Sequence, residues 1–254
     1  INILTPGRRQ ITGTASVVRY NTYVHRAGWY LYLAGVIAAT FTFNNHYCII
    51  MPLAPSSTPN PYTPLFRCIY NVGTTRTQNG STIGGAGAGN QASNSGGGIR
   101  NASGGTTTVD GSTVSANSAE YGGGISHFGL SPNGSIHDNR VYFNHSYDEG
   151  AGILIAGELA TVPGALYGQP GGPQGSGAVK IYNNLVQANM AEDDGGGLRF
   201  LMVGNFPMNT YNNMIVNNVS MHEGGGVAID DASNVRFYNN TVMNNKTTAT
   251  AITS

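Results

Sequence analysis

Apolar residues recur along this chain in short blocks, without the spacing of a helix. From about residue 80 onward, aliphatic residues such as Val179 and Ile181 alternate with polar ones, and each block ends at an Asn- or Gly-rich bend. Alternation of this kind is typical of a strand with one buried face. We therefore predict an all-β chain of short strands.

A Gly triplet followed by an aliphatic residue divides the chain into repeats. The element recurs, once with Ala in its centre, at residues 96–99, 122–125, 150–153, 195–198 and 224–227. The steps between triplets are 26, 28, 45 and 29 residues. Because the long step contains a Gly- and Pro-rich stretch near 157–177, we interpret that stretch as a loop inserted into an otherwise regular period.

An Asn precedes every triplet by five or six residues. These residues are Asn90, Asn117, Asn144, Asn189 and Asn218. Stacked coils place like residues above like residues, so aliphatic side chains fill the interior and Asn side chains hydrogen-bond along the stack. The pattern predicts a parallel β-helix solenoid of about five or six coils over residues 79–254.

Residues 1–78 do not fit the repeat and are predicted to form a Pro-rich N-terminal cap or assembly segment. A solenoid end exposes apolar core and strand edges, so an atypical terminal segment is expected there. The apolar run 28–41 has 14 residues, fewer than the roughly 20 that span a bilayer as a helix. We interpret it as a strand pair or a capping element, and predict no membrane span.

The two cysteines, Cys48 and Cys68, leave two alternatives open. They are a candidate disulfide in an oxidising compartment, or free thiols that behave as small apolar residues.

The formal net charge is zero, with 12 basic and 12 acidic residues, but the signs are separated along the chain. Seven Arg and no acidic residue precede Asp110, whereas five basic and 12 acidic residues occupy the rest. Neutrality favours neither nucleic acid nor a membrane surface as partner. The separation favours head-to-tail contact between copies of the chain, with the basic end against the acidic coils.

The element Asn-x-Ala-x-x-x-Gly-Gly-Gly-aliphatic, as in residues 189–198, resembles the repeat of right-handed parallel β-helix proteins of the pectate-lyase-like superfamily. Its Gly-Gly-aliphatic part resembles polymorphic outer-membrane proteins and other autotransporter-like surface passengers. The resemblance covers about residues 80–254. It implies a β-helix located outside the cell or on its surface, in a superfamily that includes lyases, hydrolases, adhesins and phage tailspikes.

The residue before each triplet carries the candidate chemistry. Glu149, Asp194 and Glu223 occupy this position in successive repeats, so stacking predicts a carboxylate column. Carboxylates held at strand spacing repel one another. A bound cation would offset this repulsion, and raised pKa values would remove part of the negative charge. Carboxylate oxygens are ligands that suit Ca²⁺. A solvated acidic edge without function is the alternative, and no cofactor is required by the sequence.

A catalytic interpretation of the same column uses Asp193, Asp194 and Glu223. The family resemblance implies a lyase in which calcium acidifies the proton beside a uronate carboxylate and an Arg acts as base, and Arg199 and Arg236 are the candidates. A glycoside hydrolase would instead use two carboxylates separated by about 5 to 9.5 Å.

Tyr182, Tyr211 and Tyr238 share one register and follow inward residues, which predicts a Tyr column on the outer surface. Such a column is a candidate surface for binding glycans or protein, and cross-coil stacking explains it equally well.

We therefore expect an extracellular structural or surface protein that assembles head to tail into filaments or acts as an adhesin. The alternative is a polysaccharide lyase or glycoside hydrolase.

Overall fold

A computed structural model describes residues 30–33, 36–43, 46–50, 65–66, 69–71, 74–77, 80–102, 106–131, 133–158, 160–166 and 169–248. These residues contain 27 strands and no helix, so none of them forms an apolar helix of the length that a bilayer crossing requires. The chain divides into two compact units, Ile1–Pro55 and Ser56–Ser254.

The first unit contains an antiparallel sheet of three strands. Its order is β1 (Tyr30–Leu33), β2 (Val36–Phe43) and β3 (His46–Ile50). Strands β1 and β2 pair within the apolar run 28–41, as expected for a strand pair. The predicted disulfide lies outside the described residues, because Cys68 is not among them and only the backbone of Cys48 is.

The second unit is built from four parallel sheets, which we name A to D. Sheet A contains β6 (Thr74–Thr77), β9 (Thr106–Asp110), β13 (Asn133–His137), β17 (Ala178–Tyr182), β21 (Met208–Tyr211) and β25 (Val235–Tyr238). Sheet B contains β4 (Leu65–Phe66), β7 (Thr82–Gly84), β10 (Thr113–Ser115), β14 (Arg140–Tyr142), β18 (Leu185–Gln187), β22 (Met214–Val216) and β26 (Thr241–Met243).

Sheets C and D complete the cross-section of the second unit. Sheet C contains β11 (Ser118–Ala119), β15 (His145–Ser146), β19 (Met190–Ala191), β23 (Val219–Ser220) and β27 (Lys246–Thr247). Sheet D contains β5 (Ile69–Asn71), β8 (Ile99–Ala102), β12 (Ile125–Phe128), β16 (Ile153–Ala156), β20 (Leu198–Gly204) and β24 (Val227–Ala232).

The chain visits sheets A, B, C and D in that order and then repeats the circuit one level along the stack. We number the circuits by their first strand: coil 1 begins at β6, coil 2 at β9, coil 3 at β13, coil 4 at β17, coil 5 at β21 and coil 6 at β25. The prediction of a parallel β-solenoid of about six coils is confirmed. Strands β4, β5 and β6 already pair parallel to β7, β8 and β9, whereas a capping role for residues 1–78 stays a prediction.

The interior is filled by aliphatic ladders. In sheet B, Val114, Val141, Val186 and Ile215 lie one above the other and are fully buried. In sheet D, Ile99, Ile125, Ile153 and Leu198 form a second buried ladder. Burial of each such side chain contributes about 1.5–3 kcal/mol, so these ladders supply the main apolar stabilisation of the solenoid.

The Gly triplets lie at the corner between sheets C and D, where neighbouring backbones approach closely. Gly195 has a φ of +69°, and a Cβ on it would lie 2.7 Å from the Cβ of Arg199. A Cβ on Gly197 would lie 2.4 Å from the carbonyl oxygen of Gly226 in the next coil. Only glycine fits these two positions, because one needs a positive φ and the other has backbone where a side chain would be.

The Asn residues that precede the triplets form a buried hydrogen-bonded ladder. In coil 3, the backbone N and the Nδ2 of Asn144 both donate to Oδ1 of Asn189, each at 3.0 Å. Nδ2 also donates to the carbonyl oxygen of Val114, while Oδ1 accepts from the two corresponding nitrogens of Asn117. The amide of Asn144 is therefore fully used. The ladder runs along Asn90, Asn117, Asn144, Asn189, Asn218 and Asn245, and only its two end members lack some of these bonds among the described residues.

A second Asn ladder lies at the corner between sheets A and B. Asn139 donates from its backbone N and from Nδ2 to Oδ1 of Asn184, at 3.1 and 3.0 Å. The same geometry links Asn184 to Asn213 and Asn213 to Asn240. Two corners of each coil are thereby fixed to the next coil by side-chain amides as well as by strand pairing.

We expect Asn189→Ala to lower the free energy of unfolding by at least about 3 kcal/mol. The change leaves the N–H of Asn144 and one hydrogen of its Nδ2 without their acceptor and removes the side-chain donor to the carbonyl of Val141, at about 1–3 kcal/mol for each buried group. Urea denaturation measures the difference. The control is Lys180→Ala, an exposed position of the same coil, expected to stay within about 0.5 kcal/mol. A loss for Asn189→Ala as small as that of the control would contradict a stabilising ladder.

Candidate functional site

The residues before the Gly triplets are in register at the corner between sheets C and D. Gly122 N donates to the carbonyl of Glu149, Gly150 N to that of Asp194, and Gly195 N to that of Glu223, at 2.8–3.0 Å. One residue of the predicted column thus lies in each of coils 3, 4 and 5. Backbone pairing between coils therefore brings Glu149 and Glu223, which are 74 residues apart in the sequence, into one stripe.

A buried cation lies beside this stripe. The Arg199 side chain is only 3% exposed. Its Nε and Nη2 donate to the two oxygens of Glu149 at 3.1 and 3.2 Å, and its Nη1 donates to Oδ2 of Asp230 at 2.7 Å. Nη2 also lies 3.3 Å from Oδ2 of Asp194. Carboxylates from coils 3, 4 and 5 therefore share one guanidinium, which offsets the repulsion that the sequence predicts.

The environment of Arg199 bears on its predicted role as a base. Burial acts to lower the pKa of the guanidinium, but its hydrogen bonds to Glu149 and Asp230 raise that pKa above the ordinary value. A general base must hold its unprotonated form. The surroundings instead stabilise the protonated form, and so favour a structural counter-ion over a base.

Asp194 connects the buried cation to the surface. Its Oδ1 accepts from Nδ1 of His222 at 3.0 Å and from the backbone N of Glu223 at 2.8 Å. The hydrogen bond to Asp194 raises the pKa of His222, whose ring is exposed and whose Nδ1 also lies 3.3 Å from Oδ1 of Asp193. Burial, followed by the neighbouring Asp194 charge, raises the pKa of Asp193. The surface layer is thus a hydrogen-bonded Asp–His–Asp arrangement.

The predicted metal ligands do not converge as one set of three. Oxygens of Asp148, Glu149 and Asp193 lie within 4.8 Å of one another, and Asp193, Asp194 and His222 form a second such group. Glu223 belongs to neither group. Both oxygens of Glu149 already bind Arg199, so calcium would compete there with an internal cation, and calcium binding stays a prediction.

The predicted Tyr column is present as a continuous stack. The rings of Tyr182 and Tyr211 lie 5.0 Å apart at 3°, and those of Tyr211 and Tyr238 lie 5.2 Å apart at 10°. His137 stacks on Tyr182 at 4.6 Å. Because the ring faces contact one another, a glycan could reach the edges of the three rings and the outer face of Tyr238. The geometry favours cross-coil stacking over ring-face binding of sugars.

Two polar side chains, those of Tyr121 and His127, have environments that the sequence did not predict. Tyr121 precedes the triplet of coil 2, and its hydrogen bond to Asp148 raises the pKa of the phenol to about 12. His127 points into the solenoid, with Nδ1 3.0 Å from Nδ2 of Asn101 and Nε2 2.8 Å from the carbonyl of Ser176. Burial lowers the pKa of His127, so the neutral ring accepts from Asn101 and donates to Ser176. The repeat register could have predicted the burial of His127, because His127 occupies the same inward position of its strand as Ile155 and Phe200 do in the next two coils.

No protein-family description matches this sequence, and comparison with curated proteins and with solved structures gives no match. What the coordinates establish is the fold class, a parallel β-solenoid. The finer resemblance to pectate-lyase-like and autotransporter-like repeats stays an expectation.

We expect Arg199→Met to destabilise the protein by about 3–5 kcal/mol at neutral pH, because buried carboxylates lose their counter-ion. Burial already raises the pKa of Glu149, and the hydrogen bond from Arg199 opposes that rise. Without Arg199 the folded-state pKa rises further, so the loss is largest above that pKa and shrinks as the pH falls through it.

Urea denaturation at neutral pH and at about pH 4 measures both effects. Arg236→Met, an exposed change in coil 6, is the control and is expected to have little effect at either pH. A loss in Arg199→Met that does not shrink in acid would contradict the ion cluster as its cause.

Proposed function

We propose that this protein is a structural β-helix, located outside the cell or on its surface, that assembles head to tail with copies of itself. The observation that carries the proposal is the end of the stack formed by β24 and coil 6. We call it the open face and define it by Ile229, Phe237, Val242, Asn240 and Asn245. Each strand there has a partner on one side only among the described residues.

The open face continues the interior ladders without covering them. Ile229, Phe237 and Val242 are 45%, 38% and 48% exposed. The residues directly below them, Phe200, Thr210 and Ile215, are completely buried. Apolar side chains that occupy core positions gain about 25 cal/mol for each Å² covered, so a partner that extends the stack is favoured.

The Asn ladders give this end a polarity. Each coil donates to the next, and the backbone N–H groups of Asn240 and Asn245 have no acceptor among the described residues. At the other end of one ladder, the buried Oδ1 of Asn90 accepts no hydrogen bond from a described residue. Two open faces meeting each other would oppose donors to donors. A partner presenting the opposite end of the same solenoid would not, which supports a head-to-tail arrangement.

Charge supports the same partner. The seven Arg before Asp110 and the acidic excess after it make the two parts of the chain complementary. Opposite charges steer such an approach and weaken with added salt. The resemblance of the repeats to surface passengers supports a location outside the cell.

Multi-angle light scattering and negative-stain electron microscopy of the full chain test the assembly. Filaments or larger species are expected at low salt, in amounts that grow with protein concentration and fall with salt. Val242→Glu should abolish them, because it puts a charge into the apolar joint. Met214→Glu is the matched control, an exposed outward position one coil below in the same sheet, and should assemble like the wild type.

Two results would overturn the assembly. One is a wild-type chain that stays monomeric at every concentration and salt, as expected if further residues of the same chain cover the open face. The other is equal assembly of Val242→Glu and Met214→Glu.

The second candidate function is cleavage of an acidic polysaccharide at the carboxylate stripe. Its support is the close approach of Asp148, Glu149 and Asp193. Burial also raises the pKa of Glu149 above its ordinary value, which is the direction in which a general acid is tuned. Asp193 and His222 are exposed at the same place and accessible to a chain-like substrate.

Incubation with polygalacturonate, with and without calcium, separates this candidate from the first. A lyase produces ultraviolet-absorbing unsaturated ends and a hydrolase produces only reducing ends. Asp193→Asn should abolish either product, whereas Asp138→Asn, an exposed acid at another corner, should not. The candidate fails if wild-type protein forms neither product, or if both variants retain full activity.

A further inference from the structure

The insertion between β16 and β17 is a folded excursion with its own hydrogen bonds. Glu158 N donates to the carbonyl of Gly175 at 3.1 Å, and Gln174 N donates back to Glu158 at 3.3 Å. Farther out, the backbone N–H groups of Thr161 and Val162 both donate to the carbonyl of Gly171. Loops of this length are uncommon in compact folds and usually carry function, and nothing in the solenoid itself requires this one.

The base of the insertion is fixed to the coils on both sides. The carbonyl of Ser176 accepts from Nε2 of His127, in β12 of coil 2, at 2.8 Å and from the backbone N of Ser131, between β12 and β13, at 3.0 Å. Gly157 N donates to Leu201 of coil 4 at 2.8 Å. These bonds hold the insertion in place against the two neighbouring corners of the solenoid.

A cleft of about 530 Å³ lies between the insertion and the solenoid. The insertion contributes Gln169, Pro170, Pro173 and Gln174, and the turn after β20 contributes Asn205 and Phe206. The described residues that line the cleft include no charged side chain. The lining thus combines apolar ring surfaces with side-chain amides in a cleft that is open to solvent.

We infer that this cleft binds a neutral saccharide. Amide side chains offer both donors and acceptors to hydroxyl groups, and those of Gln169 and Gln174 make no hydrogen bond to other described side chains or backbone. Aromatic and proline ring surfaces suit the C–H faces of a sugar ring. A lining without charge gives no counter-ion to a uronate, sulfate or phosphate, which must lose water on binding.

A peptide fits the same cleft less well. Extended peptides bind by adding a strand to a free backbone edge, but several backbone groups of the cleft are already used within the protein. Gln169 N donates to Leu166, the Gln169 carbonyl accepts from Gly172, and the Gly204 carbonyl accepts from Ser233. The side-chain amides of Gln169 and Gln174 make no hydrogen bond to other described residues, which favours a hydroxyl-rich ligand.

Isothermal titration of the full chain tests this inference with maltoheptaose, cellopentaose, laminaripentaose and chitopentaose as neutral probes. Polygalacturonate and a proline-rich peptide serve as the charged and peptide probes. We expect at least one neutral probe to bind with a Kd in the micromolar to millimolar range, about −8 to −4 kcal/mol. The double variant Gln169→Ala/Gln174→Ala should weaken that binding at least tenfold.

Gln187→Ala, in β18 of sheet B and outside the cleft, is the matched control and should bind like the wild type. The inference is overturned if no neutral probe binds up to about 10 mM, if polygalacturonate or the peptide binds in preference, or if the double variant binds normally. Thermal unfolding of both variants shows whether a lost titration reflects a lost fold. The outcome does not depend on head-to-tail assembly, since the cleft is on the side of the solenoid.

Discussion

The hydrogen bond from one Asn side chain to the Asn of the next coil is the interaction on which this molecule depends. A primary amide buried at a bend has donors and acceptors that cannot be left unpaired without a cost of several kcal/mol. In coil 3 the side chain of Asn144 bonds, among the described residues, to Asn117 below, to Asn189 above and to one backbone carbonyl. A slip of one residue would break these bonds and turn the aliphatic ladders outward at once, so register and core are specified together.

Strict register has a consequence at the neighbouring corner. Once coils stack residue above residue, acidic residues that share a repeat position must lie near one another, as Glu149 and Asp194 do. The protein places Arg199 among them, in a position that is nearly dry and is bonded to carboxylates of three coils. The register that the Asn ladder imposes therefore brings like charges together, and the single buried guanidinium of Arg199 offsets their repulsion. The surface residues Asp193 and His222 are then the part of the stripe left for a ligand.

The repeat was predictable because its causes are local in the sequence. A bend that needs a positive φ requires Gly, as at Gly195, and a buried bend that needs an amide requires Asn, so both recur with the period of the coil. The partner of Arg199 was not predictable, because Glu149 lies 50 residues away and the spacing of that coil is lengthened by the insertion. The cleft beside Phe206 depends on how the insertion folds back, which follows from backbone hydrogen bonds rather than from any repeated residue. The register of the Tyr column followed from alternation along each strand, and its rings stack from coil to coil, whereas binding of a glycan or protein by this column stays a prediction.

In a solenoid each coil contacts only its neighbours, so features on different faces are energetically separate. The Asn ladders run along the axis and end at Asn240 and Asn245, whose backbone N–H groups have no acceptor in the part of the chain that the structure describes. The insertion projects from one corner and is fixed to the adjacent turns. Growth along the axis would leave the lateral cleft unchanged, and each added copy would present one more cleft. Binding by a repeated array gains from multivalency when each contact is weak. A weak saccharide site on a self-assembling β-helix is therefore physically consistent with firm attachment to a polysaccharide surface.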